Sequence, residues 1–124
     1  MVKLLNRSHV KGQIAERKAR LWLHLKGYKV LEYRYKTPVG EIDILARKGD
    51  SLIAVEVKAR QTEEEAKNAI QQKQWERIAR AITFYQSKHP EVVACDIRFD
   101  AIFVVPMKMT PIHIKNAWNP PASL

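Results

Sequence analysis

A single cysteine, Cys95, is all that this chain of 124 residues carries, so an internal disulfide is excluded. That scarcity fits a reducing compartment, and a cytoplasmic location is expected. Cys95 sits just before an apolar strand pattern, where a structural role is expected. Long hydrophobic runs are also missing. None approaches the roughly 20 residues that a membrane-crossing helix needs, so no membrane partner is expected. Met1 to Val10 lacks the apolar stretch of a secretory signal. Internal repeats and low-complexity tracts are absent. Acidic charge is short as well: 13 Asp plus Glu stand against 22 Lys plus Arg, for a formal net charge of +9. Such an imbalance points to polyanionic partners, nucleic acid first.

What is present suits one ordinary globular domain over residues 1–124. Hydrophobic residues make up 46% and charged residues 28%. A first helix is expected from about Ser8, as its cap, to Lys26, with Gly27 ending it. Ile14, Leu21, Trp22 and Leu25 recur at helical spacing and should face the core. Tyr28 to Lys36 alternates as a strand does. Thr37-Pro38-Val39-Gly40 reads as a tight turn, Glu41 to Arg47 as a second strand. Lys48-Gly49-Asp50 then turns the chain into an antiparallel third strand, Ser51 to Arg60. Either Thr62-x-x-Glu65 or Asn68-x-x-Gln71 can box the start of a following helix. Trp75, Ile78, Ala79, Ile82 and Tyr85 give that helix a buried face, and Pro90 stops it. Asp96 to Val105 is apolar enough to be central in the sheet. Ile112 to Trp118 is a candidate last strand, and residues 119–124 form an irregular tail. A strand, helix, strand sequence implies one parallel pair in a mixed sheet flanked by helices.

One apolar run carries a misfit. Asp43 interrupts Ile42 to Ala46, and a half-buried carboxylate needs a partner there. Strand alternation puts Glu41 and Asp43 on one face, with Ile42 and Ile44 opposite. On the next strand it puts Glu56 and Lys58 together, away from Val55 and Val57. Adjacent strands can then bring Asp43 and Glu56 within reach of one divalent cation, Mg²⁺ or Mn²⁺. The Val57 carbonyl can add a ligand, and Lys58 can orient a water or steady charge on a phosphate. Glu16, on the first helix, can add a carboxylate. The same pattern also fits a half-exposed strand with an ion pair on its wet face.

Arg34, Lys36, Lys48, Arg60, Arg77 and Lys73 are candidate phosphate contacts. They interleave with Tyr33, Tyr35 and Trp75, and an aromatic ring beside a cation can stack on an unpaired base. Core packing suits Trp75 better, and a solvated helical surface suits Lys73 better. His9, His24, His89 and His113 have no ligand spacing and read as surface residues. Asp100, a charge inside an apolar strand, reads as structural and paired near Arg98.

Together these motifs resemble the YraN-like family of bacterial proteins, grouped with the restriction-endonuclease-like, PD-(D/E)XK nuclease superfamily. The resemblance rests on Ala15-Glu16-x-x-Ala19-x-x-Trp22-Leu23-x-x-x-Gly27-Tyr28, Gly40-Glu41-Ile42-Asp43, Val55-Glu56-Val57-Lys58-Ala59-Arg60, Arg98-Phe99-Asp100 and Ile114-x-Asn116-Ala117-Trp118. It implies an αβββαβ core. Asp43 and Glu56 then match the metal-binding acids, Lys58 the catalytic lysine and Glu16 the helix acid. The layout is also similar to Holliday-junction resolvases of the archaeal type, which implies branched DNA as substrate and a homodimer. Ala15 departs from the family's usual glycine, and Arg34 from its usual asparagine. The expected function is a metal-dependent DNA endonuclease. The alternative is a non-catalytic nucleic-acid-binding module in a repair or recombination complex.

Overall fold

The computed structural model describes residues 2–122, with side chains from residue 11 onward. Its elements are α1 (Val2–Leu25), β1 (Lys29–Thr37), β2 (Gly40–Lys48), β3 (Ser51–Ala59), α2 (Glu63–Ala69), α3 (Gln72–Lys88), β4 (Asp96–Val104) and β5 (Ile112–Trp118). The strands form one mixed sheet in chain order, β1 to β5. Only β3 and β4 run parallel, joined by the α2–α3 crossover. The fold is therefore a mixed α/β sheet flanked by helices, as the patterning implies. Among the described residues, no helix is long and apolar enough to cross a membrane.

Two apolar clusters sandwich the sheet. One joins α1, through Ala19 and Leu23, to Tyr28, Ile44, Ala46, Ile53, Val55 and Ile102. The other joins α3, through Trp75, Ile78, Ile82 and Tyr85, to Ile42, Leu45, Leu52, Ala54, Phe99 and Phe103. The apolar strand β4 lies inside the sheet, one place from the middle strand β3. Trp75 is core, 6% exposed and stacked on Trp118.

Several expectations about the helices are corrected. Helix α1 starts at Val2, so Ser8 lies within it and is not its cap. Ile14, Leu21 and Leu25 are exposed at 47%, 58% and 70%, and the inward stripe is Ala15, Glu16, Ala19 and Leu23. Small alanines let the helix lie close on the sheet, a stripe that a search for large apolar residues misses. Gly27, at φ 87, ends the helix as expected. The crossover is two helices, because Ile70 is extended and packs into the α3-side cluster. Thr62 caps α2 by accepting from the Glu65 amide at 3.1 Å, whereas Asn68 lies inside α2.

Asp100 is fully buried and heads a polar network under α1. It accepts from Arg98 Nε and Nη2, each at 2.8 Å, and from the Asn116 amide at 2.9 Å. Its Oδ2 also lies 2.8 Å from His113 Nε2, and Arg98 reaches the Tyr28 hydroxyl at 2.9 Å. His113 is thus no surface residue: its side chain is 4% exposed. Of the other histidines, His24 is exposed, His89 stacks on Tyr85, and the His9 side chain lies outside the described residues. Burial alone would raise the Asp100 pKa, but hydrogen bonds from His113, Arg98 and Asn116 outweigh it and hold the carboxyl below its ordinary value. Removing one partner of such a buried pair leaves the other charge uncompensated. Asp100→Ala should therefore lower unfolding stability by about 3–5 kcal/mol in urea titrations. A loss under about 1 kcal/mol would mean that the network is dispensable.

Candidate active site

The antiparallel ladder between β2 and β3 is paired from Lys48↔Ser51 as far as Ile44↔Val55. Beyond that point β2 continues with β1, down to Thr37↔Gly40, and β3 continues with β4, out to Ala59↔Val104. The sheet opens between them. The Val57 amide, which would have met a β2 carbonyl, instead donates to Asp43 Oδ2 at 2.9 Å. In a strand the amide and carbonyl of one residue leave on the same side, so the Val57 carbonyl also faces this opening.

Glu56, 3% exposed, lies beside the Asp43 carboxylate, close enough for each group to act on the other. Lys58 Nζ lies 3.3 Å from Glu56 Oε2. On α3, Gln74 Nε2 donates to the same oxygen. Gly40 makes that approach possible: a Cβ there would overlap the backbone carbonyl of Arg77, one turn beyond Gln74. From the other side, α1 contributes Glu16, 9% exposed, whose Oε1 accepts from Arg34 Nε at 3.2 Å.

Arg34 has φ 52, in the left-handed region that asparagine tolerates better than arginine. The strand twists there, so Tyr33 meets α1 while Tyr35 joins the α3-side cluster. Next to it, Ile42 and Ile44 fall into different clusters. Strict alternation, which put those two isoleucines on one face, fails at the Arg34 and Asp43 level.

A cleft of about 500 Å³ results, lined by Glu16, Asp43, Glu56, Val57 and Lys58 and rimmed by Arg34, Lys36 and Arg60. Lys73 is exposed and does not line it; its neighbour Gln74 does. Gln74 was missed because an uncharged amide in an amphipathic helix carries no charge signal. Lys48 lies at the far end of the sheet, bonded to the Lys26 carbonyl at 3.0 Å. Arg77 is exposed outside the cleft lining.

The carboxyls are strained electrostatically. Burial, then the charge of Asp43, pushes the Glu56 carboxyl up to about 8, with Lys58 opposing. Burial also raises Asp43, against the hydrogen bond from Val57. Glu16 is raised by burial, with Arg34 opposing. Asp43 and Glu56, both raised and both beside Lys58, offer oxygen donors of the kind that a hard cation takes. Among the described residues no group of three or more His, Cys, Asp or Glu side chains could hold a metal by itself. Hard cations, however, commonly take one or two carboxylates and complete their shell with carbonyl, water and phosphate oxygens. The donor set present fits that pattern.

The linkage has a definite sign. Between the ordinary glutamate value of 4.5 and about 8, the unfolded chain has released a proton that the folded chain keeps. Without metal, stability should therefore fall as pH rises through that window. Glu56→Gln should flatten the decline and melt above the parent protein at pH 8 in EDTA, as read by thermal unfolding. An equal decline in that variant would overturn the electrostatic account of this pair.

The model of the uncharacterised protein family UPF0102 matches residues 15–104. The chain is similar to the UPF0102 protein of Paramagnetospirillum magneticum, 40% identical over 113 residues, which cover 88% of this chain and 87% of that one. The UPF0102 protein of Maricaulis maris is 38% identical over 120 residues, 97% of this chain and 94% of that one. The UPF0102 protein of Chelativorans sp. is 40% identical over 112 residues, 90% of each chain.

Proposed function

The chain belongs to the uncharacterised protein family UPF0102, and for it we propose a metal-dependent endonuclease that hydrolyses phosphodiester bonds in DNA. The observation that carries this reading is the convergence of Asp43, Glu56 and Lys58 where β2 and β3 part, in a cleft rimmed by Arg34, Lys36 and Arg60. The chain's formal net charge of +9 supports a polyanionic substrate.

Asp43, Glu56 and the Val57 carbonyl would hold Mg²⁺ or Mn²⁺. Such an ion, when bound, supplies charge to a phosphate and acidifies a bound water. Arg34, Lys36 and Arg60 would receive the backbone phosphates and set the strand across the cleft. Lys58 would donate to the attacking water or to the phosphoryl oxygen on which negative charge grows. Gln74 also donates to the Glu56 carboxylate from the α3 side, a contact that Lys58→Ala would leave in place. Glu16, fastened by Arg34, completes the acidic wall on the α1 side.

A second reading is a non-catalytic nucleic-acid-binding module of a repair or recombination complex. The basic rim of Arg34, Lys36 and Arg60 and the net charge of +9 support it without calling on a metal. Cutting separates the two. Labelled linear, single-stranded, flap and four-way-junction DNA should be cut with Mg²⁺ or Mn²⁺ and not in EDTA. Lys58→Ala should cut at least about a hundredfold more slowly while binding the same DNA nearly as well. Undiminished cutting by that variant would end the assignment of Lys58. Binding without cutting by the parent protein would establish the second reading.

A further inference from the structure

We infer that Tyr33 and Arg20 form a stacking platform for an unpaired base, so that the cleft's substrate carries unpaired nucleotides beside the phosphate it presents. This rests on the nucleic-acid reading above and adds its substrate class.

Of the rings interleaved with cations, two are used up by the core. Tyr35 meets Tyr85 edge-on, with centroids 5.4 Å apart, and Trp75 lies between Phe99 and Trp118. Tyr33 is different: it is 55% exposed. The Arg20 guanidinium carbon stands 3.9 Å from its ring centroid, so ring and cation are already stacked. The left-handed backbone of Arg34 turns Tyr33 to the α1 side while Tyr35 enters the core.

The platform shares a wall with the cleft. Tyr33 is followed directly by Arg34, which binds Glu16 and lines the cleft. Arg20 follows Glu16 by one helical turn on the same side of α1, close enough for its charge to act on the Glu16 carboxyl. A strand whose phosphate enters the cleft would therefore bring an adjoining nucleotide over Tyr33. Within a duplex, base faces are covered by their neighbours. Away from duplex ends, only an unpaired base can offer a free face to the ring, and every base has such a face, so the contact would be indifferent to sequence.

The competing account is that Arg20 on Tyr33 only fastens β1 to α1. Binding in EDTA, where no cutting interferes, distinguishes the two. Labelled single-stranded DNA, single-stranded RNA, flap DNA and blunt duplex should be titrated against the parent, Tyr33→Ala and Tyr33→Phe, with thermal unfolding as the fold control. Tyr33→Ala should weaken binding of the unpaired substrates about fivefold to 150-fold, leave blunt duplex within about twofold, and be rescued by Tyr33→Phe. Equal weakening on all substrates, or none, would overturn the platform. Failure of the parent to bind any nucleic acid would overturn the platform and the underlying reading together. Selective binding without cutting would uphold the platform and remove only the nuclease.

Discussion

The Val57 amide needs an acceptor, and the way it finds one shapes the molecule. Buried backbone groups are almost always paired. Where β2 leaves β3, the ladder no longer supplies a carbonyl, and Asp43 replaces it with a carboxylate. That substitution ends the sheet locally without orphaning the strand. It also draws an acid against Glu56, which burial already disfavours as an anion. Lys58 relieves part of the repulsion, and Gln74 donates to the same Glu56 oxygen. A divalent cation would relieve the rest. The same contact thus ends a β ladder and gathers the carboxylates of the candidate site.

Asp43 and Asp100 show how environment separates two similar residues. Both interrupt apolar strands. Asp100 is met by a guanidinium, an imidazole and an amide, and its carboxyl is held below its ordinary value. Its network ties β5, β4 and the start of β1 together under α1 and leaves little for chemistry to use. Asp43 has one amide and a competing acid, and its pKa is raised. Carboxylates fully satisfied by the fold belong to its architecture. Carboxylates left short of positive charge in a cleft are candidates for function.

Much of the fold was legible in local pattern. Alternation marked the strands, Gly27 and the Lys48–Asp50 turn marked chain reversals, and the apolar 96–105 run marked an interior strand. Asp43 was legible as a candidate site residue because a carboxylate has no business in Ile42 to Ala46 unless something meets it. Other features depend on tertiary contact and left no local trace. Helix α1 buries alanines because closeness to the sheet matters more there than side-chain size. His113 is buried because its register opposite Ile102 sets it against Asp100, and a bulge at Asn116, with φ 55, lets Asp100 take that residue's amide as well. Gln74 reaches the candidate site because Gly40 lets α3 close on β2.

Arg34 connects these levels. A long cationic side chain in the left-handed region is an unfavourable local choice, tolerated where surrounding contacts over-determine it. Here Glu16 fixes its guanidinium and the β1–β2 pairing fixes its neighbours on both sides. The backbone twist it accepts sends Tyr33 outward, sends Tyr35 into the core, and points its own charge into the cleft. An asparagine would suit the backbone better but could not reach Glu16 as a cation. The local strain, the ion pair across the cleft wall and the exposed ring beside it are consequences of one residue. Position 34 therefore couples the acidic floor of the cleft to the surface that leads into it.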